Sequence, residues 1–304
     1  MDAVVPGTGP WSWILTWPAD PFAVAILMAV GFVYAGGLRR LRLAGTPFPS
    51  RWALAFWCGL GALAVALVSP VDAYADASFS VHMAQHLLLT FVAPPLLALG
   101  APITLALRAC SAPRARMITG LLRGPIGRTL SNPVVGFTLF VGVPFAIHMS
   151  PLFDLALREP LVHRAEHAAW IAAALIYWWP IVGRDPTPHP VSYPVRMLSL
   201  FVAMPLMSFL ALSIYIADEP LYPTYVALPA PWGTQALVEQ RWAAVQMWLV
   251  GNFALVLAIL LVAVAWKHSE DEGQRRVEAR LDADTNVRAS HGKASDKPGA
   301  IQDR

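Results

Sequence analysis

Seven apolar runs dominate this chain, each near the roughly 20 residues that a helix needs to cross a bilayer. They fall at about 21–38, 52–69, 79–107, 133–149, 161–181, 195–217 and 242–266. Lipid offers the peptide groups no partner, so a spanning segment must be a helix or part of a closed barrel. The weak two-residue alternation of a barrel strand is absent. The expected fold is therefore an all-α integral membrane protein, a bundle of seven transmembrane helices. Charge supports this: 13% of residues are Asp, Glu, Lys or Arg, against about 25% in soluble domains.

Loop charges orient the bundle. The first gap holds Arg39, Arg40, Arg42 and Arg51; the second holds Asp72 and Asp76; the third holds Arg108, Arg114, Arg116, Arg123 and Arg128. The positive-inside rule then puts the N-terminus outside and the C-terminus in the cytoplasm. Asp154, Glu159, Asp218, Glu219 and Glu239 fall in outer gaps, as that orientation requires. Residues 1–20 read as an external lead-in, with Trp11, Trp13 and Trp17 suited to the headgroup layer. They lack a basic start, so no cleavable signal peptide is expected. Residues 21–266 form the membrane domain. Residues 267–304 read as a disordered, charged cytoplasmic tail with a brief helix at 271–283. The net charge of +3 lies in loops and tail, which gives no argument for nucleic acid as a partner. Neither cysteine belongs to a Cys-x-x-Cys pair, so thiol chemistry has no support.

The third run carries the chemistry. It opens Val81-His82-Met83-Ala84-Gln85-His86 and continues to Pro102 through Pro94-Pro95. Helical spacing puts His82 and His86 one turn apart on one face. The two prolines remove the amide donors that would reach the carbonyls of Thr90 and Phe91, which predicts a kink or break. A side chain that ionises or binds metal is expensive inside a membrane, so a pair of them points to a site.

The topology extends that site. His82 and His86 open the third span, His148 closes the fourth, and His163 and His167 open the fifth, all at the outer end. Five of the eight histidines thus share one depth. Met83 and Met149 accompany them, and Glu239 opens the seventh span in the same layer. A single interfacial histidine usually snorkels or bridges helices; two i,i+4 pairs and a third imidazole at one depth indicate a metal or cofactor. His189, His268 and His291 fall on the cytoplasmic side and are read as ordinary surface residues. Trp178-Trp179 reads as an interface anchor or bundle filling. Imidazole with thioether and no thiolate suits copper, and imidazole alone also suits zinc or haem iron. Two alternatives stand beside copper. His163-Arg164-Ala165-Glu166-His167 matches H-x-x-E-H, the inverted zinc-protease pattern, which implies a membrane metallohydrolase with Glu166 as base. Imidazoles from two helices also suit a bis-histidine haem protein.

Several motifs in order resemble a known family, the polytopic CtaG-type assembly factors of cytochrome c oxidase. They are H-M-x-Q-H-L-L-L at His82, running on as A-P-P-L-L-x-L-G-x-P to Pro102, and His148 ahead of Pro151. Glu166-His167 followed by Trp178-Trp179-Pro180, and Glu239-Gln240 followed by Met247-Trp248, complete the set. Family members commonly carry Asp-Gln where this chain has Glu239-Gln240, which keeps the carboxylate but changes its reach. The resemblance covers most of residues 20–266. It implies a non-enzymatic factor in the bacterial inner membrane that serves the respiratory chain. It would mature the haem–copper centre of the oxidase catalytic subunit, with periplasmic copper carriers as further candidate partners. The implied metal residues are His82, His86, His148, His163 and His167, with Glu239 beside them. The cofactor expected is copper as Cu(I), a soft state that Met83 and Met149 would favour.

Overall fold

The computed structural model describes Trp17, residues 20–227 and residues 234–295, with the side chains of the last helix described as far as Glu278. Among the described residues the chain is helical and contains no strand. α1 (Pro21–Leu43) starts where Asp20 accepts a hydrogen bond from the amide of Phe22, with Pro21 in the first turn. Both features suit a helix start, where amides lack intrahelical partners. α2 (Ser50–Val68) ends at Ser69, whose hydroxyl caps the short α3 (Pro70–Ala75).

The third run is divided rather than simply kinked. It comprises α4 (Phe79–Leu87), a π-helical turn (Leu88–Val92), α5 (Ala93–Leu99) and α6 (Pro102–Ala109). The amide of Ala93 bonds to the carbonyl of Leu88, the wide register of a π turn. The carbonyl of Thr90 would look to residue 94 in an α register and to residue 95 in a π register. Both are prolines and neither has a donor. The buried indole of Trp178 fills the gap: its Nε1–H donates to the Thr90 carbonyl at 2.9 Å. A second break follows at Gly100-Ala101. There Ala101 adopts φ 47°, in the left-handed region, and Tyr34 Oη donates to the Gly100 carbonyl at 2.9 Å. Gly59 permits the close approach of α2 to α5, since a Cβ there would lie 2.8 Å from the amide nitrogen of Leu97.

The remaining elements are α7 (Ala112–Arg123), α8 (Pro125–Leu130), α9 (Pro133–His148), α10 (Leu152–Arg158), α11 (Pro160–Val182), α12 (Tyr193–Tyr215), α13 (Pro223–Ala227) and α14 (Ala236–Ser295). α11 packs against α9, α5 and α10, which brings the starts of α4 and α11 to the same end as the finish of α9. Five helical segments are long and apolar enough to cross a membrane: Pro21–Leu43, Ser50–Val68, Phe79–Ala109, Tyr193–Tyr215 and Ala236–Glu278. α9 and α10, bent by 70° at the break between them, make a sixth if the pair is one span. α11 matches them in length at 23 residues, but the polar His163, Arg164, Glu166 and His167 in its first turns lower its hydropathy. The chain is thus a multi-pass helical membrane protein, with five or six of the seven expected spans meeting that test.

Two compact units divide the chain, Met1–Ile259 and Leu260–Arg304. The first contains every residue of the site described below. In the second, the stretch read from the sequence as a tail begins at Lys267, yet α14 continues as helix to Ser295. Residues 1–16, which carry Trp11 and Trp13, and the final residues 296–304 lie outside the described residues.

Candidate metal site

The site is built on the first turns of α4. Ser78 caps that helix through the amide of Val81, and Gln85 holds its next turn, donating to the Ala66 carbonyl at 2.8 Å and to Asp72 Oδ1 at 2.7 Å. His82 and His86 project from the helix so fixed, and both are fully buried. Their Nε2 atoms stand 3.0 Å apart. α11 brings His163 and His167 to the same point. The His163 ring centroid lies 5.2 Å from that of His82 and 4.2 Å from that of His167. The His167 ring lies 5.9 Å from the His86 ring. Glu166, on the same helix, sets Oε1 at 3.3 Å from His86 Nε2 and accepts from the indole of Trp170 at 3.4 Å. His148, at the end of α9, completes the ring of imidazoles at 6.0 Å from His86. Phe153 and Trp170 wall the cluster with aromatic surface.

The hydrogen-bond network fixes which nitrogens are bare. Tyr225 Oη donates its one proton to the Ala75 carbonyl at 2.8 Å. Burial holds that phenol well above its usual pKa, so the proton stays. The same oxygen lies 2.9 Å from His82 Nδ1 and can only accept there. His82 therefore carries its proton on Nδ1 and points a bare Nε2 at His86. His148 Nδ1 lies 3.0 Å from the Pro144 carbonyl, so it must donate, leaving its Nε2 bare as well.

Five buried polar atoms of these clustered residues have no hydrogen-bond partner: His86 Nδ1, His148 Nε2, His163 Nε2, His167 Nε2 and Glu166 Oε2. An unpaired buried polar atom costs about 1–3 kcal/mol, so native chains rarely gather several without a purpose. A cation satisfies lone pairs of this kind. Two overlapping sets have one ligand atom from each member within 4.8 Å of the others. One is His82, His86 and His167; the other is His82, His163 and Glu166. Two imidazole nitrogens that each lie about 2.0–2.1 Å from a shared ion in tetrahedral array stand about 3.3 Å apart, close to what His82 and His86 show. The donor set thus fits a metal ion.

Of the residues expected from the sequence, His82, His86, His163 and His167 come together, and His148 stands beside them. Met83 is buried in the apolar core. It follows His82 by one residue, which on a helix turns it about 100° away. Met149 is 48% exposed at the end of α9. Glu239 has both oxygens engaged elsewhere. Oε2 accepts from the hydroxyls of Ser78 and Ser80, each at 2.7 Å, and Oε1 accepts from Thr234 at 3.1 Å. It ties the start of α14 to the cap of α4. Glu166, read from the sequence as the base of a hydrolase motif, sits among the ligand atoms. Tyr225, on the short α13, carried no sequence signal, because the stretch between the sixth and seventh runs has neither periodicity nor motif.

The model of the family described as cytochrome c oxidase caa3 assembly factor (Caa3_CtaG) matches residues 32–269. An uncharacterized protein of Mycobacterium tuberculosis is 31% identical over 270 residues, covering 86% of this chain and 40% of the relative. An uncharacterized protein of Mycobacterium leprae is 30% identical over 276 residues, covering 88% and 42%. The chain thus spans about two fifths of the length of the curated relatives it matches. No solved structure matches it.

Proposed function

The chain belongs to the cytochrome c oxidase caa3 assembly factor family, and from that premise we propose that it binds copper as Cu(I) and hands it to the haem–copper centre of an oxidase catalytic subunit. The observation that carries this reading is the convergence of His82, His86, His163 and His167 with Glu166, where His163 Nε2, His167 Nε2 and Glu166 Oε2 are buried without a hydrogen-bond partner. His82, His86 and His167 would hold the ion as three neutral nitrogens. Such a set suits Cu(I), which accepts three-coordination and leaves by ligand exchange without a change of charge. His148 would close the site. The seven-span reading, with the N-terminus outside and the C-terminus in the cytoplasm, would open the cluster to the outer compartment of a bacterial inner membrane, where periplasmic carriers could load it.

The two rival chemistries make different demands. A bis-histidine haem needs its two nitrogens on opposite faces of the porphyrin, about 4 Å apart if each lies about 2 Å from iron. His82 and His86, 3.0 Å apart on one helix, do not make such a pair, which would have to join α4 to α9 or α11. In a hydrolase of the H-x-x-E-H kind Glu166 would serve as base to a metal-bound water.

The test is oxidase maturation. In cells lacking this protein, the wild type should restore copper content and turnover to the haem–copper oxidase, and His82→Ala/His86→Ala should not. Glu166→Gln should retain most of the maturation. Restoration by the double variant would contradict the reading, and loss of all function in a folded, metal-bearing Glu166→Gln protein would favour the hydrolase.

A further inference from the structure

The buried cluster needs a way in, and its two ligand sets are not equally deep. The His82–His86–His167 set is buried throughout, whereas His163 in the second set is only partly covered. Exposure rises from the cluster to the surface. The His86 side chain is 1% exposed, that of His163 16% and that of Asp76 49%. Asp76 lies just after α3, with Oδ1 at 3.9 Å from His163 Nδ1. The opposite nitrogen of His163, Nε2, is buried and unpaired. This imidazole therefore has one face on a carboxylate at the surface and the other in the cluster. The nearby cation, Arg164 on the same helix, is paired with Asp20 at 3.1 Å. Asp76 pairs with no Lys or Arg among the described residues, and its carboxylate stands half exposed at the surface beside His163.

Resting on the copper reading above, we propose that Asp76 and His163 are the entry station of this site: a cation is drawn to Asp76 at the mouth, taken by His163, and passed inward to His82. His82 belongs to both ligand sets, so the ion can move from His82–His163–Glu166 to His82–His86–His167 without losing it. Each step exchanges one copper–ligand bond for another. The ion keeps its charge, and neither an oxidant nor a reductant is required. Asp76 acts in arrival and is not a ligand of the resting site.

The test is the rate of loading of the purified full chain with Cu(I), stopped at intervals with excess chelator and read as retained copper. Charges that steer an incoming ion change arrival rates by about 10–1,000-fold. Asp76→Asn should load about tenfold more slowly and still reach the copper content of the wild type. Asp76→Glu, which keeps the charge, should load at close to the wild-type rate. Added salt should slow the wild type more than Asp76→Asn. An Asp76→Asn protein that loads at the wild-type rate overturns the entry station and leaves the copper site standing. A folded Asp76→Asn protein that never fills would make Asp76 a resident ligand, also contrary to the proposal. A wild type that retains no copper removes the copper reading itself, and the entry station with it.

Discussion

His82 points a bare nitrogen into the cluster because Tyr225 occupies its other one. The Tyr225 hydroxyl gives its proton to Ala75 and so must accept from His82 Nδ1. Outer partners of this kind fix the tautomer and orientation of a ligand, and losing one typically costs about 10–100-fold in metal affinity. Tyr225→Phe is expected to weaken copper binding by about that factor while the chain stays folded, measured by competition with a chelator of known affinity. Unchanged affinity would show that His82 holds its orientation without the tyrosine. At this scale the histidines were legible, since i,i+4 spacing and shared depth single them out. Met83 was read as a partner from adjacency in sequence, whereas helical geometry turns it into the apolar core. Tyr225, on the short α13, and Asp76, just after α3, reach the site through connections that no periodicity records. Glu239, placed in the right layer by the sequence, spends both oxygens on Ser78, Ser80 and Thr234.

Between α4 and α5, the π turn and the two prolines leave the Thr90 carbonyl with no backbone donor in either register, and Trp178 supplies one from α11. The bond joins the helix bearing His82 and His86 to the helix bearing His163 and His167, one below the other pair. Trp178→Phe keeps an aromatic ring but removes the donor, leaving a buried carbonyl unpaired. The expected loss is about 1–3 kcal/mol of stability, read as an earlier unfolding midpoint in denaturing detergent. A variant as stable as the wild type would reduce the indole to filling space. The sequence marked where backbone donors are missing, but not what replaces them: the remedy comes from a residue distant in the chain. The break at Gly100-Ala101 was hidden for the same reason. It is shaped by Tyr34 on α1, and the apolar run passes through it without a change of pattern. Helix positions were legible throughout the apolar runs because lipid allows few alternatives to a helix. The end of α14 was not, since nothing apolar marks where it stops.

Across the membrane-spanning part of the chain, loop charge and histidine position follow one plan. Arginine-rich gaps alternate with acidic ones, and the five clustered imidazoles all fall at the acidic-gap ends of their helices. Three segments distant in sequence, α4, α9 and α11, bring those ends together in a buried cluster walled by Phe153 and Trp170. Family membership gives the plan a setting in cytochrome c oxidase assembly, and the proposed copper would be its cargo. The central claim is that these imidazoles hold copper. Elemental analysis of the purified protein after Cu(I) loading and washing, beside His82→Ala/His86→Ala, tests it most directly. The account predicts about one copper per chain in the wild type, as one soft ion saturates a three-nitrogen set, and near none in the variant. A wild type free of copper, or a variant that retains as much as the wild type, would contradict it.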